Sequence, residues 1–155
     1  YTVVASYGEE SEKEYLTKLG ASEFVHRDTL SGPGKPLQKE TYAGVIDSVG
    51  SHTLVNAIAQ TNYRGFVTAC GLAQGADLPG TVMPIILRGV SILGIDSVMC
   101  PKGPRMAAWA RLDRDLDRSL IAEIGHEVSL EGALQAGADI VAGKIRGRVL
   151  VDVRR

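Results

Sequence analysis

Short β-branched runs alternate with helix-length segments along this chain, and each run leaves through glycine or another small residue. Tyr1-Thr2-Val3-Val4-Ala5-Ser6 is apolar from its first residue and ends at Gly8. Ala43-Gly44-Val45-Ile46-Asp47 leads to Gly50, and Phe66-Val67-Thr68-Ala69-Cys70 stops at Gly71. Continuous apolar runs of this kind suit strands covered on both faces. Helical stretches between them build βαβ units, so the fold class is α/β with a doubly wound, largely parallel, Rossmann-like sheet. The predicted order is strand 1–6, helix 9–19, strand 23–26, strand 43–47, helix 51–60, strand 66–70, a short apolar stretch at 82–87, strand 90–97, helix 104–120, helix 130–142 and strand 147–153. Ser51 is the predicted N-cap of the second helix. Gly32, Pro33, Gly34 and Pro36 mark residues 28–41 as a loop.

A strand that starts at residue 1 without solvating residues suggests a piece of something longer. The 155 residues are enough to hold a core without staples. A net charge of -1 excludes a nucleic-acid binder that relies on a broad basic surface. No apolar run reaches the roughly 18 residues that cross a bilayer. Cys70 and Cys100 stand alone with no CxxC, which favours a reducing, cytoplasmic setting. Cys70 and Met99 read as core residues. His26, His52 and His126 have no metal-ligand spacing to one another, to a cysteine or to a carboxylate pair, so no metal site is expected.

In an open parallel sheet, ligands bind beyond the carboxyl ends of the strands. Four such exits are legible: Ser6-Tyr7-Gly8-Glu9, His26-Arg27, Asp47-Ser48-Val49-Gly50 and Gly71-Leu72-Ala73. Small residues at so many exits favour a nucleotide site, although any one glycine only turns the chain. Glu9 stands where a dinucleotide fold places the acidic residue that meets the adenosine ribose. It reads equally well as a carboxylate at a helix start. Arg27 suits a phosphate or a plain surface position. The glycine loop GxGxxG that cradles a pyrophosphate is missing, and Gly32-Pro33-Gly34 continues in a way that cannot open a helix. That absence fits a chain beginning one βα unit too late. Asp96-Ser97 either meets a ligand or caps a turn. The alternating charges of Arg111 to Arg118 read as a solvated helix face. The strand at 90–97 is apolar enough to need cover, and pairing with the same strand of a second subunit would supply it. Ile92→Lys is then expected to yield monomers.

The residues EYLTKLGAS at 14–22, AGVIDSVG at 43–50, ACGLAQG at 69–75, LPGTVMPIILRGVSILGIDSVM at 78–99 and GKIRGRVLVDV at 143–153 carry a resemblance. The sequence resembles the C-terminal part of the medium-chain dehydrogenase/reductase superfamily, and within it the zinc-free acryloyl-CoA reductase, or quinone oxidoreductase-like, group. The resemblance implies a Rossmann domain joined to a GroES-like catalytic domain, usually in a homodimer. Residues 1–120 would be the incomplete nucleotide-binding domain, and 121–155 a segment returning to the catalytic domain. The implied reaction is NADPH-dependent reduction of an activated carbon–carbon double bond in an enoyl thioester such as acryloyl-CoA, or of a quinone, with hydride delivered to the β-carbon and no metal.

By the same resemblance, Tyr7, Gly8 and Glu9 sit where the family grips the adenosine 2′-phosphate, with Arg27 near that phosphate or the adenine. Leu72 would contact the cofactor near the nicotinamide, Ile86 and Ser97 would lie along its pocket, and Arg148 would close the site. The chain departs from the family's Ser-Gly-Arg pattern at Tyr7-Gly8-Glu9. A carboxylate there repels a 2′-phosphate and suits the free hydroxyls of NAD, so NADH is a possible cofactor beside NADPH. The catalytic residues are unknown, because the resemblance places the substrate half outside these residues. The isolated chain is expected to be inactive. The competing reading is a non-catalytic nucleotide-binding or oligomerisation module.

Overall fold

Strand β1, Val4–Tyr7, pairs in parallel with β2, Glu23–His26, across α1, Glu12–Lys18. The computed structural model describes residues 1–155 and divides them into two compact units, Tyr1–Cys100 and Pro101–Arg155. In the first unit a 3-10 turn at Arg27–Thr29 follows β2. Then come β3, Tyr42–Asp47, α2, Ser51–Gln60, β4, Thr61–Ala69, α3, Met83–Arg88, and β5, Ser91–Gly94. Strands β3, β4 and β5 form a second parallel sheet in that order. The second unit holds α4, Lys102–Asp115, α5, Ile121–Ile124, β6, Gly125–Ser129, α6, Ala133–Val141, and β7, Arg148–Asp152. Its two strands are also parallel.

Every strand pair is parallel, as the α/β alternation requires. The first unit nevertheless carries two sheets, because β1 has a strand neighbour only in β2 and β3 only in β4. The core sits under the second sheet. Leu54 and Ile58 of α2, spaced one helical turn apart, meet Val67 of β4 and Val90, and Val45, Ala69 and Ile92 pack around them. Fully burying side chains of this size contributes about 1.5–3 kcal/mol each.

The 28–41 loop is held by one side chain of α2. Asn56 is buried, and its Nδ2 donates to the carbonyls of Leu30 (2.7 Å) and Gly32 (2.8 Å). Its Oδ1 accepts from Gln38 Nε2 at 2.6 Å. Arg88 closes the far end of the same helix, with Nη1 donating to Ala59 O and Nη2 to Gln38 O.

Several expectations change. Residues 1–3 lie outside β1, because β2 begins at Glu23 and Val3 contributes only its carbonyl, which accepts from Ser22 N and Glu23 N. Ser51 is not an N-cap. Gly50, at φ 78°, holds that position, and Ser51 Oγ instead bonds Asp77 Oδ2 at 3.2 Å. Of the stretch at 82–87, residues 83–87 fall in α3 and Val82 is its N-cap. The long helix expected at 104–120 ends at Asp115. Strand β6 has no counterpart in the predicted order. Cys70 and Met99 are exposed rather than buried, since both follow strand ends in exit loops.

No helix is long and apolar enough to cross a membrane. On α4, Arg111 and Arg114 pair with Asp115, and Arg118 of the following turn pairs with Asp113 of the helix, which makes the alternating run a solvated ion-pair cluster.

Candidate nucleotide site at the strand exits

The register of each sheet brings its strand exits level. In the first sheet Tyr7 lies opposite His26. In the second, Asp47 lies opposite Ala69, and Ala69 opposite Gly94.

The exit of β1 and β2 gathers the charged candidates. His26 Nε2 lies 3.0 Å from the Gly8 carbonyl and fixes the turn after β1. Arg27 closes over that turn. A Cβ placed on Gly8 would fall 2.8 Å from the Arg27 Cζ, so glycine is what lets the guanidinium rest against the backbone. The Tyr7 ring meets His26 edge-on at 5.1 Å and Phe24 at 6.2 Å. Tyr7 Oη donates to Glu10 Oε1 at 2.7 Å, and Lys13 Nζ reaches Glu10 Oε2 at 2.8 Å while lying 4.6 Å from the Tyr7 ring centre. The Lys13 ammonium, with help from the Tyr7 hydroxyl, holds the Glu10 carboxyl below its ordinary 4.5. Glu10 in turn, with Tyr7, holds Lys13 above 10.5. Glu9 is exposed, and the Tyr7–Glu10–Lys13 contacts leave its carboxylate outside them. Outside the Tyr7–Glu10–Lys13 network the exit presents the Glu9 carboxylate and the Arg27 guanidinium around a glycine turn, with Asp28 Oδ2 3.5 Å from His26 Nδ1.

The second sheet's exits are knitted by backbone and amide contacts. Asp47 Oδ2 accepts from Val49 N (3.2 Å) and Gly50 N (2.9 Å). A Cβ on Gly71 would lie 2.4 Å from Ser48 O, so two exit loops touch at backbone level. Gln74 Oε1 accepts from both the amide and the hydroxyl of Thr53, at the start of α2. Its Nε2 donates to Ser31 O in the loop that follows β2. Gln74 therefore ties the exit of one sheet to that of the other. No local pattern announces this, since a glutamine in a glycine-rich loop looks like any solvated residue. Asn56 was hidden for the converse reason, as a polar residue flanked on both sides by the apolar residues of α2.

The remaining candidates spread out. Leu72 follows β4 and is exposed, and Ile86 is exposed on α3. Ser97 lies beyond β5 in a turn that Asp96 ties, its Oδ1 accepting from Val98 N and Met99 N. Asp96 is thus a turn cap. Arg148 opens β7 in the second unit, with Nη1 donating to Gly147 O. A cavity of about 250 Å³ lies beside the Arg27 turn, but its Gln38 and Asn56 already bond each other. Nowhere do three or more His, Cys, Asp or Glu residues come together to hold a metal ion.

Parallel strands, level exits and glycine turns define a Rossmann-type α/β domain. The chain belongs to the zinc-binding dehydrogenase family, whose profile matches residues 1–111. It is 44% identical over 154 residues to the acrylyl-CoA reductase AcuI of Ruegeria pomeroyi, covering 99% of this chain and 47% of that protein. The crystal structure of the YhdH oxidoreductase of Salmonella enterica in complex with NADP superposes with a TM-score of 0.96 at 45% identity, covering 99% of this chain and 47% of that one. The Bacillus subtilis YhfP structure with NAD bound gives 0.93 at 42% identity, again over 99% and 47%. The chain therefore spans about half the length of the relatives it matches. The family's name implies zinc, but the residues present do not build a zinc site.

Proposed function

We propose that this chain is the cofactor-binding part of a cytoplasmic NAD(P)H-dependent reductase acting on an activated carbon–carbon double bond, as in acryloyl-CoA or a related enoyl thioester, or on a quinone. The carrying observation is the glycine-turned exit of β1 and β2, where Arg27 rests on Gly8, in a chain 44% identical to an acrylyl-CoA reductase. Tyr7, Gly8, Glu9 and Arg27 would hold the adenosine end. Leu72, Ile86 and Ser97 would line the nicotinamide end. When bound, the dinucleotide supplies a hydride. The chain's part is to fix its position and exclude water around it. No step runs through a metal in this proposal.

Residues 1–120 are assigned to an incomplete nucleotide-binding domain and 121–155 to a segment that returns to a catalytic domain. One edge of β1 and one edge of β3 lack a partner strand, as expected if a further strand of a longer parent enzyme pairs there. Ile46 of β3 is 82% exposed, which suits a sheet face covered by other parts of such a parent. On this reading the isolated chain does not turn over substrate. The test is an assay of the full-length parent with NADPH and NADH, offering acryloyl-CoA and a benzoquinone in parallel. Oxidation of reduced nicotinamide with either acceptor supports the reading. No oxidation with any pairing favours the non-catalytic binding module, and an isolated chain as fast as the parent overturns the fragment assignment.

A homodimer through the outer edge of β5 belongs to the same proposal. Ile92 is the wrong probe for it, because its side chain packs on the core. Leu93, 48% exposed on the same strand, is the better one. Leu93→Lys in the parent is expected to give monomers by light scattering, and an unchanged dimer removes the edge-pairing model.

A further inference from the structure

We propose that Glu9 makes this site select NAD(H) over NADP(H), with Arg27 offsetting its charge but not overturning it. The proposal rests on the reading of the β1–β2 exit as the adenosine end of a dinucleotide site. Relatives at closely similar identity bind NADP in one structure and NAD in another, so the fold itself does not decide between them. The decision falls to side chains at this exit.

Six ionisable groups besides Glu9 stand there: Tyr7, Glu10, Lys13, His26, Arg27 and Asp28. Glu10 and Lys13 neutralise each other at 2.8 Å, and Tyr7 Oη is spent on Glu10. His26 is engaged with the Gly8 carbonyl and, through Nδ1, lies 3.5 Å from Asp28 Oδ2. Arg27 is left as the cation at the turn, held against Gly8, and Glu9 as the carboxylate outside the network. A 2′-phosphate placed between them meets one attraction and one repulsion that cancel to first order. Stripping water from a dianion is then uncompensated. A free 2′-hydroxyl costs far less to desolvate, and it can donate to Glu9 in a charge-assisted hydrogen bond. Both differences point the same way.

The experiment uses the full-length parent enzyme and titrates NADH and NADPH by nicotinamide fluorescence. The expected wild-type result is NADH binding at least about tenfold tighter. Glu9→Gln, which keeps the shape and removes the charge, narrows that gap, and Glu9→Arg inverts it. NADPH affinity responds weakly to salt in the wild type, where the two charges offset, and strongly in Glu9→Arg. Because Glu9 is exposed, the variants are expected to melt with the wild type, and the cofactor ratio within each variant does not depend on how much protein folds. NADPH binding as tightly as NADH in the wild type, or a ratio unmoved by Glu9→Arg, overturns the assignment. Failure of both dinucleotides to bind overturns the reading of the site beneath it as well.

Discussion

The two sheets of the first unit are held in order by different forces. The three-stranded sheet rests on an apolar cluster in which Val67 is fully buried and Ile58 nearly so. The two-stranded sheet has no comparable cluster, and its strands carry no fully buried side chain. What orders it is polar and aromatic: His26 on the Gly8 carbonyl, Tyr7 on Glu10, Lys13 over Tyr7, and Arg27 on Gly8. An isolated two-stranded pair is marginal in water. The candidate binding exit with the most charge therefore stands on the less stable sheet, and the stabler sheet serves as its footing. Local opening should follow the same division.

Ile58→Ala tests the footing most severely. Emptying that position is expected to cost about 2–5 kcal/mol in unfolding free energy, read from denaturant titration. Phe24→Ala in β2 is expected to cost less than half as much, and equal losses would erase the contrast between the sheets. A pair of glycines sharpens it further. Gly71→Ala drives a Cβ into the Ser48 carbonyl and is expected to cost about 1–3 kcal/mol, because backbone must move. Gly8→Ala meets only the mobile end of Arg27, so the melting temperature should hardly change while dinucleotide affinity in the parent falls. A large drop in melting temperature for Gly8→Ala would mean the turn is structural first.

The smallest effect is a pH dependence confined to the two-stranded sheet. Glu10 titrates below its ordinary 4.5, so its contribution is present above that pH and is lost as pH falls through the depressed value. Lys13 titrates above 10.5, so its contribution is present below that pH and is lost as pH rises through the raised value. The Tyr7 ring resonances should therefore stay constant between these limits and shift outside them. A shift between these limits would show that the Glu10–Lys13 pair does not govern the turn.

The parts of the fold legible in the sequence are those where burial wrote a period into it. Leu54, Ala57 and Ile58 mark α2, and the β-branched run at Ala43–Asp47 marks β3. Strand β6 was not legible, because Gly125-His126-Glu127-Val128-Ser129 has too few apolar residues to show a strand period. The break between the sheets was equally invisible, since hydrophobic pattern reports burial and not which strand lies beside which. At the candidate site, Tyr7, Gly8, Glu9 and Arg27 could be named as strand exits, and the structure brings these four together. Leu72, Ile86 and Ser97 lie at separate places in the first unit, and Arg148 lies in the other unit. The roles of Gln74 and Asn56 depend on carbonyls 43 and 24 to 26 residues away, a separation no local motif encodes.

The unpartnered edges of β1 and β3 have a practical consequence for handling the protein. Each offers a ladder of backbone donors and acceptors to any extended chain that drifts past. In the isolated polypeptide these ladders are templates for intermolecular pairing, so concentrated samples should gain cross-strand aggregates before the core of α2 and β4 loosens. Solubility of the isolated chain is then limited by how quickly its open edges find company.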